Sequence, residues 1–271
     1  MRLRLRHVLT CRYRPTANGV IGVLRLTPRS HYGQHVIDWS IDVGVDCRLR
    51  QSEDAFGNIT HGFQVTGPVE QLRIEATGEV ELFDATGFVR DAIERFPEEF
   101  YLRDTPATAA DAALRAFAAE VAAGAETSLA RMHALMGAVR ETIAHDPGLK
   151  PAAGAAEAFA ARRGAASDLA QVFIAAARHL GVPARYAVGV ALDAAQPGPE
   201  GHGWAEAHVE GYGWIGFDPA LNLCPCGRHL RLAMGLDLLA ARPMRSARGG
   251  FGEEEIVAVT TVTGAAQSQR Q

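Results

Sequence analysis

"RRGAASDLAQVFIAAARHLGVPARY", Arg162–Tyr186, is the stretch on which the rest of the sequence turns. Leu169, Val172, Phe173, Ala176 and Leu180 recur at the i, i+3, i+4 spacing of one helical face, which predicts a helix from about Ala165 to Leu180. Gly164 marks the turn into it. Gly181 stops it, and Pro183 just beyond cannot continue it. The amino end of such a helix offers free N–H groups and the positive end of the dipole, and Asp168 suits that end. A nucleophile poised as an anion belongs there. The residues at that end are Ala165, Ala166 and Ser167.

Downstream, "ARYAVGVAL" reads as a strand and "DAAQPGPEG" (193–201) as a loop. "GHGWAEAHVEGYGWIGFDP" (201–219) then reads as a hairpin with His202 on one arm and Asp218 on the other. A histidine with an orienting carboxylate is two-thirds of a nucleophilic triad. Strand side chains alternate faces, so the loop decides whether the two can meet. A two-residue turn at Glu210-Gly211 separates them. A three-residue loop, Glu210-Gly211-Tyr212, sets Asp218 opposite Trp204 on the face of His202, and that loop is the expectation, with Gly211 or Gly213 supplying the left-handed residue. Trp204, Trp214, Phe217 and Pro219 read first as core packing.

Upstream, Thr108–Ala123 and Ser128–Ala144 are predicted helices, the second carrying the stripe Leu129, Met132, Leu135, Met136, Val139. "HDPGLKPAAG" is a loop. Residues 1 to about 85 alternate with period two in "RLRLRHVLTCRY", "HVIDWSIDV" and "LRIEATGEVEL", with turn signals at Ala17-Asn18-Gly19, Thr27-Pro28-Arg29 and Asp54–Asn58. After the hairpin, "RHLRLAMGLD" and "IVAVTTV" are strands. The pattern predicts an α+β protein: a small β-sandwich or barrel over 1–87, helices packed on an antiparallel sheet over 88–263, and a frayed tail over 264–271.

Net charge is −4 with no long basic run, so nucleic-acid binding is not expected. No apolar run approaches a membrane span, and "MRLRLRHVLT" has no signal-peptide core. The four cysteines, Cys11, Cys47, Cys224 and Cys226, are too few for a disulfide framework, which with the lack of an export signal sets a cytoplasmic expectation. Cys224-Pro225-Cys226 with His229 lacks the second half of a zinc site, so neither a metal nor a cofactor is expected.

Gly164–Tyr186, His202-x-Trp204 and Gly216-Phe217-Asp218-Pro219 together resemble the transglutaminase-like superfamily, and within it the bacterial transglutaminase-like cysteine peptidases with an N-terminal β region. "RLTPRSHYGQHVIDWSIDV", "DAFGN" and "RHLRLAMGLDLLAARPMR" extend the likeness along the chain. The resemblance implies a papain-like core. It maps the family's histidine to His202, its aspartate to Asp218 and its nucleophilic cysteine to Ala166; the family's next glutamine maps to Ser167, and a later histidine to Gln171. Asp168 is kept. Several neighbouring departures point to a natural degenerate member rather than an engineered Cys→Ala change. The resemblance thus implies a pseudoenzyme with a peptide- or amide-binding groove, for which Ser167, Asp168 and Trp204 are candidate lining residues. It also implies a peptide or protein ligand, with an active paralogue or an ATP-grasp-type protein as partner. The alternative is an active peptidase, amidase or acyltransferase with a displaced nucleophile, Ser167 or Cys224.

Overall fold

The computed structural model of the protein describes residues 1–194 and 198–264. Residues 195–197 of the loop read over 193–201, and 265–271 of the tail, lie outside the described residues.

The chain opens with β1 (Arg2–Thr27), β2 (Gln34–Val43), β3 (Arg50–Glu53) and β4 (Ile59–Leu82). β1 and β4 alternate buried and exposed residues along most of their length, the mark of a sheet with one face in a core. Both strands are far longer than the sequence punctuation suggests. Asn18-Gly19 is not a turn: β1 runs through it, and the pairing with β4 slips between Arg12 and Gly19 instead. A bulge absorbs the extra residues and bends the strand without ending it.

Next come a 3-10 turn (Glu98–Leu102), α1 (Ala112–Ala123), α2 (Ser128–Thr142), the short β5 (Ala144–His145), α3 (Ala155–Ala161), the short β6 (Arg163–Gly164) and α4 (Ala166–His179). α1 starts four residues later than the expected Thr108, because the Asp111 side chain accepts from Leu114 N–H and sets the cap there. β7 (Ala184–Ala191), β8 (His202–Val209), β9 (Gly213–Phe217), β10 (His229–Gly235), α5 (Leu238–Ala241), β11 (Met244–Arg248) and β12 (Glu253–Gly264) complete the chain.

The strands form a four-stranded antiparallel sheet, β10-β7-β8-β9, and a six-stranded one, β11-β1-β4-β2, to which β12 adds on β1 and β3 on β4. The last two strands, which fall within the span 88–263 expected to form the helical unit, therefore pair with β1. This pairing joins residues more than 200 positions apart, and no local pattern signals it.

α4 is the centre of the helical core. Nearly all its residues are buried, and its apolar side chains pack with α1, α2, α3 and the strands β7–β9. β7 is buried at every position. Ala184, Tyr186 and Val188 pack in the core around α4, while Val190 further along the strand, with Leu230 and Leu232 of β10, joins the core of the six-stranded sheet. β10 is an edge strand, and two side-chain amides cover its backbone. Gln34 accepts from Arg231 N–H and donates to Arg231 O (2.7 and 2.9 Å); Asn58 does the same to Met234 (2.9 and 2.7 Å). They supply the bonds a neighbouring strand would make, and they flank the bulge between Arg231 and Ala233.

Candidate active site

The hairpin carries the expected loop. Val209 pairs with Gly213 and Ala205 with Phe217, so Glu210–Tyr212 is a three-residue connection. Gly211 and Gly213 both adopt φ near +80°, the left-handed region that glycine takes without strain. This register sets Asp218 across from Trp204, diagonal to His202, and the two side chains close the gap: His202 Nε2 lies 2.6 Å from Asp218 Oδ2. Gly203, between His202 and Trp204, admits no larger residue, since a Cβ there would sit 1.9 Å from the Tyr186 hydroxyl.

Asp218 is fully buried and fully used. Oδ1 accepts from the N–H groups of Ala220 (3.0 Å) and Leu221 (3.1 Å). Oδ2 accepts from His202 and from a second imidazole, His229 Nε2, at 3.2 Å. Burial pushes this carboxyl up, but the two histidines outweigh it and hold it well below the usual carboxylate range. His229 is the residue that sequence reasoning missed here. It belongs with Asp218 and not with Cys224 and Cys226. The ligand-type atoms of His202, Asp218 and His229 lie within 4.8 Å of one another. A donor and acceptor 2.6 Å apart fit a charge-assisted hydrogen bond.

On the opposite side stands the start of α4. Asp168 turns inward: Oδ2 accepts from Ala165 N–H (2.8 Å) and Oδ1 from Ala152 N–H (2.9 Å). Burial raises this carboxyl above its ordinary value, against the pull of those two bonds. Gly164 must be glycine, because a Cβ there would meet Asp168 Cβ at 2.7 Å.

Ala166, Ser167 and His202 share the wall of one cleft of about 930 Å³. Ser167, a candidate lining residue, does reach this wall, and among the described residues its hydroxyl has no hydrogen-bond partner. His145, read as part of a loop, also lines the cleft; burial, with the nearby His202, lowers its pKa. Two candidates for the groove lie elsewhere. Asp168 is spent on the backbone. Trp204 is buried, its ring packed edge-on against His229 at 5.5 Å. Cys224 is not on the cleft wall, and burial pushes its thiol up to about 11. Gln171 is buried and accepts from Leu238 N–H at 3.4 Å.

Residues behind the hairpin brace it. Arg185, fully buried, bonds Glu206 (2.7 Å) and Glu94 (2.6 and 3.0 Å) and lies 3.9 Å over the Trp214 ring. Arg231 closes on the same Glu206 at 2.9 and 3.0 Å.

Comparison with known proteins agrees with this geometry. Residues 115–219 match the transglutaminase-like superfamily, and residues 3–81 match the bacterial transglutaminase-like N-terminal region. An uncharacterised protein of Mycobacterium leprae is 23% identical over 97% of this chain and 98% of its own length. The crystal structure of a Cytophaga hutchinsonii protein described as a candidate cysteine protease superposes with a TM-score of 0.78 at 18% identity, covering 100% of this chain and 92% of that one. The chain thus carries a transglutaminase-like core over residues 115–219, joined to a bacterial transglutaminase-like N-terminal region over residues 3–81.

Proposed function

We propose that this protein binds an extended peptide or amide in the cleft between α4 and the hairpin and does not cleave it. The observation that carries this reading is that residue 166, on the wall of the cleft that His202 also lines, is an alanine. Covalent acyl transfer needs an atom with a lone pair there, whose proton passes to the imidazole as the bond to the carbonyl carbon forms. The His202–Asp218 pair supplies the base and its orienting acid, but a methyl group has neither proton to give nor electrons to donate. The cleft volume falls in the range of ligand sites. Arg12, Arg14, Lys150 and Arg242 line it together with Glu200 and Glu253–Glu255, a mixed-charge wall that suits the polar backbone of a peptide.

The test is to install the missing atom. In Ala166→Cys, the helix terminus and His202 should bring the thiol below the ordinary value of about 8.5, read as the pH dependence of iodoacetamide alkylation. A double variant that also carries His202→Ala should lose the effect. An unshifted thiol in the single variant would overturn the reading that His202 serves this position. One observation favours a second reading: the unpartnered hydroxyl of Ser167 on the same wall. Labelling of the native chain by a fluorophosphonate probe, abolished in Ser167→Ala, would replace the inactive reading with a serine-dependent one.

A further inference from the structure

Between the two sheets lies a small cavity of about 40 Å³, whose walls include His31, Trp204, Glu206, His229 and Arg231. Two of these lining residues each carry a buried nitrogen that lacks any partner among the described residues: Nε2 of His31 and Nδ1 of His229. Their chemistry is complementary. Gly33 N–H donates to Nδ1 of His31 at 3.3 Å, so the neutral ring carries its proton on Nε2. Burial, with Arg231 close by, lowers this histidine to about 3, so it is neutral at pH 7. The Nε2–H of His229 donates to Asp218 Oδ2, and in that Nε2–H tautomer Nδ1 is an acceptor. One orphan donor and one orphan acceptor thus border a single cavity. A water needs only about 10–15 Å³ of such space and two to four polar partners.

We propose that an internal water accepts from His31 Nε2–H and donates to Nδ1 of His229, making His229 a positioning residue for Asp218. The hydrogen bonds then run from His31 through the water and His229 to Oδ2 of Asp218, where they meet the bond from His202. His31 lies on the chain between β1 and β2, so the N-terminal sheet reaches the hairpin's carboxylate through this path. Asp218, held by two backbone N–H groups and two imidazoles, cannot rotate to follow a moving His202. The consequence for the site rests on His202–Asp218 being its proton-holding pair. The water and the tautomers do not.

The experiment uses the full chain with ¹⁵N-labelled histidine at pH 7. Long-range ¹H–¹⁵N spectra should show His31 and His229 both as Nε2–H tautomers, with a cross-peak from the His31 Nε2 proton to a long-lived water. A His229 ring protonated on Nδ1, or no water cross-peak, overturns the bridge. In His31→Phe, exchange of the His202 Nε2 proton with solvent should quicken about tenfold, as expected for losing one hydrogen bond's restraint. His31→Gln, whose amide can still donate, should stay near the native rate. Equal exchange in all three proteins overturns the positioning role. Stoichiometric Zn²⁺ uptake with loss of the two Nε2 protons would also overturn it, by making those nitrogens ligands. An unshifted thiol in Ala166→Cys would overturn the reading that His202 serves position 166 yet leave these tautomers as they are, so the two ideas can fail separately.

Discussion

The hairpin and the helix start face each other across one cleft, and they treat polar atoms differently. On the hairpin, Asp218 takes four hydrogen bonds and two histidines converge on one of its oxygens. On the helix, the acid Asp168 faces the backbone, and the cleft is lined by two alanines, Ala165 and Ala166, and by Ser167 with its unpartnered hydroxyl. The hairpin holds an array whose parts depend on one another, so a loss there leaves other buried groups stranded. The helix start holds a backbone shape that does not depend on what residue 166 carries. A chemical group can be deleted from the second arm with little effect on the fold, but not from the first.

The sharpest way to break this contrast is Asp218→Ala. It strips the acceptor from two buried imidazoles and two N–H groups, and should cost about 3–5 kcal/mol in urea unfolding, the range for orphaning buried charged partners. A cost under about 1 kcal/mol would mean that the network relaxes freely, and the two arms would then be alike.

Acid should act on the same side of the comparison. The folded pKa of Asp218 lies below its unfolded value, as does that of Glu206, where burial pushes up but Arg231 and Arg185 outweigh it. Their stabilisation is present above the unfolded carboxylate values, about 4, and is lost as pH falls through the folded ones. His31, lowered to about 3, acts earlier: once pH drops below about 6.5 the unfolded chain binds a proton that the folded chain refuses. Stability measured by urea midpoint should therefore fall from pH 7 toward pH 4, on the order of 1–3 kcal/mol, and more steeply below. In His31→Phe the first part of that fall should shrink. A pH-independent midpoint between 7 and 5 would contradict the burial of this ring.

The contrast also explains what could be read from sequence. The hairpin register was legible because strand alternation and two glycines in a short loop constrain each other locally. The helix start was legible from its apolar stripe and its Gly164 and Gly181 punctuation. His229 was not, because the chain must leave β9 and cross to the far edge of the sheet before it returns to Asp218. The pairing of β11 and β12 was hidden for the same reason, their partner β1 being at the opposite end of the chain, although "IVAVTTV" of β12 does read as a strand. Trp204 and Asp168 entered as groove candidates through the resemblance, and alternation and dipole arguments say only which face a residue takes. They do not say what already fills that face.

On the helix arm, Asp168→Ala should cost less than Asp218→Ala, about 1–2 kcal/mol, since two backbone N–H groups lose their acceptor but no second side chain is stranded. The loss should be read as faster amide exchange at Ala152 and Ala165. A cost equal to that of Asp218→Ala would show the helix start to be as interdependent as the hairpin.

The smallest effect belongs to Ala166→Cys. Residue 166 is 8% exposed and opens on the cleft, so a sulfur has room to point outward without entering the core. The first turn of α4 draws its fixed bonds from Asp168, which the substitution does not touch. Thermal unfolding should therefore move by less than about 0.5 kcal/mol, the range of substitutions away from packed or networked positions. Alkylation chemistry at the same residue should change outright. A large loss of stability would mean that the fold has repacked around alanine, and that the position is no longer a place where a nucleophile could stand.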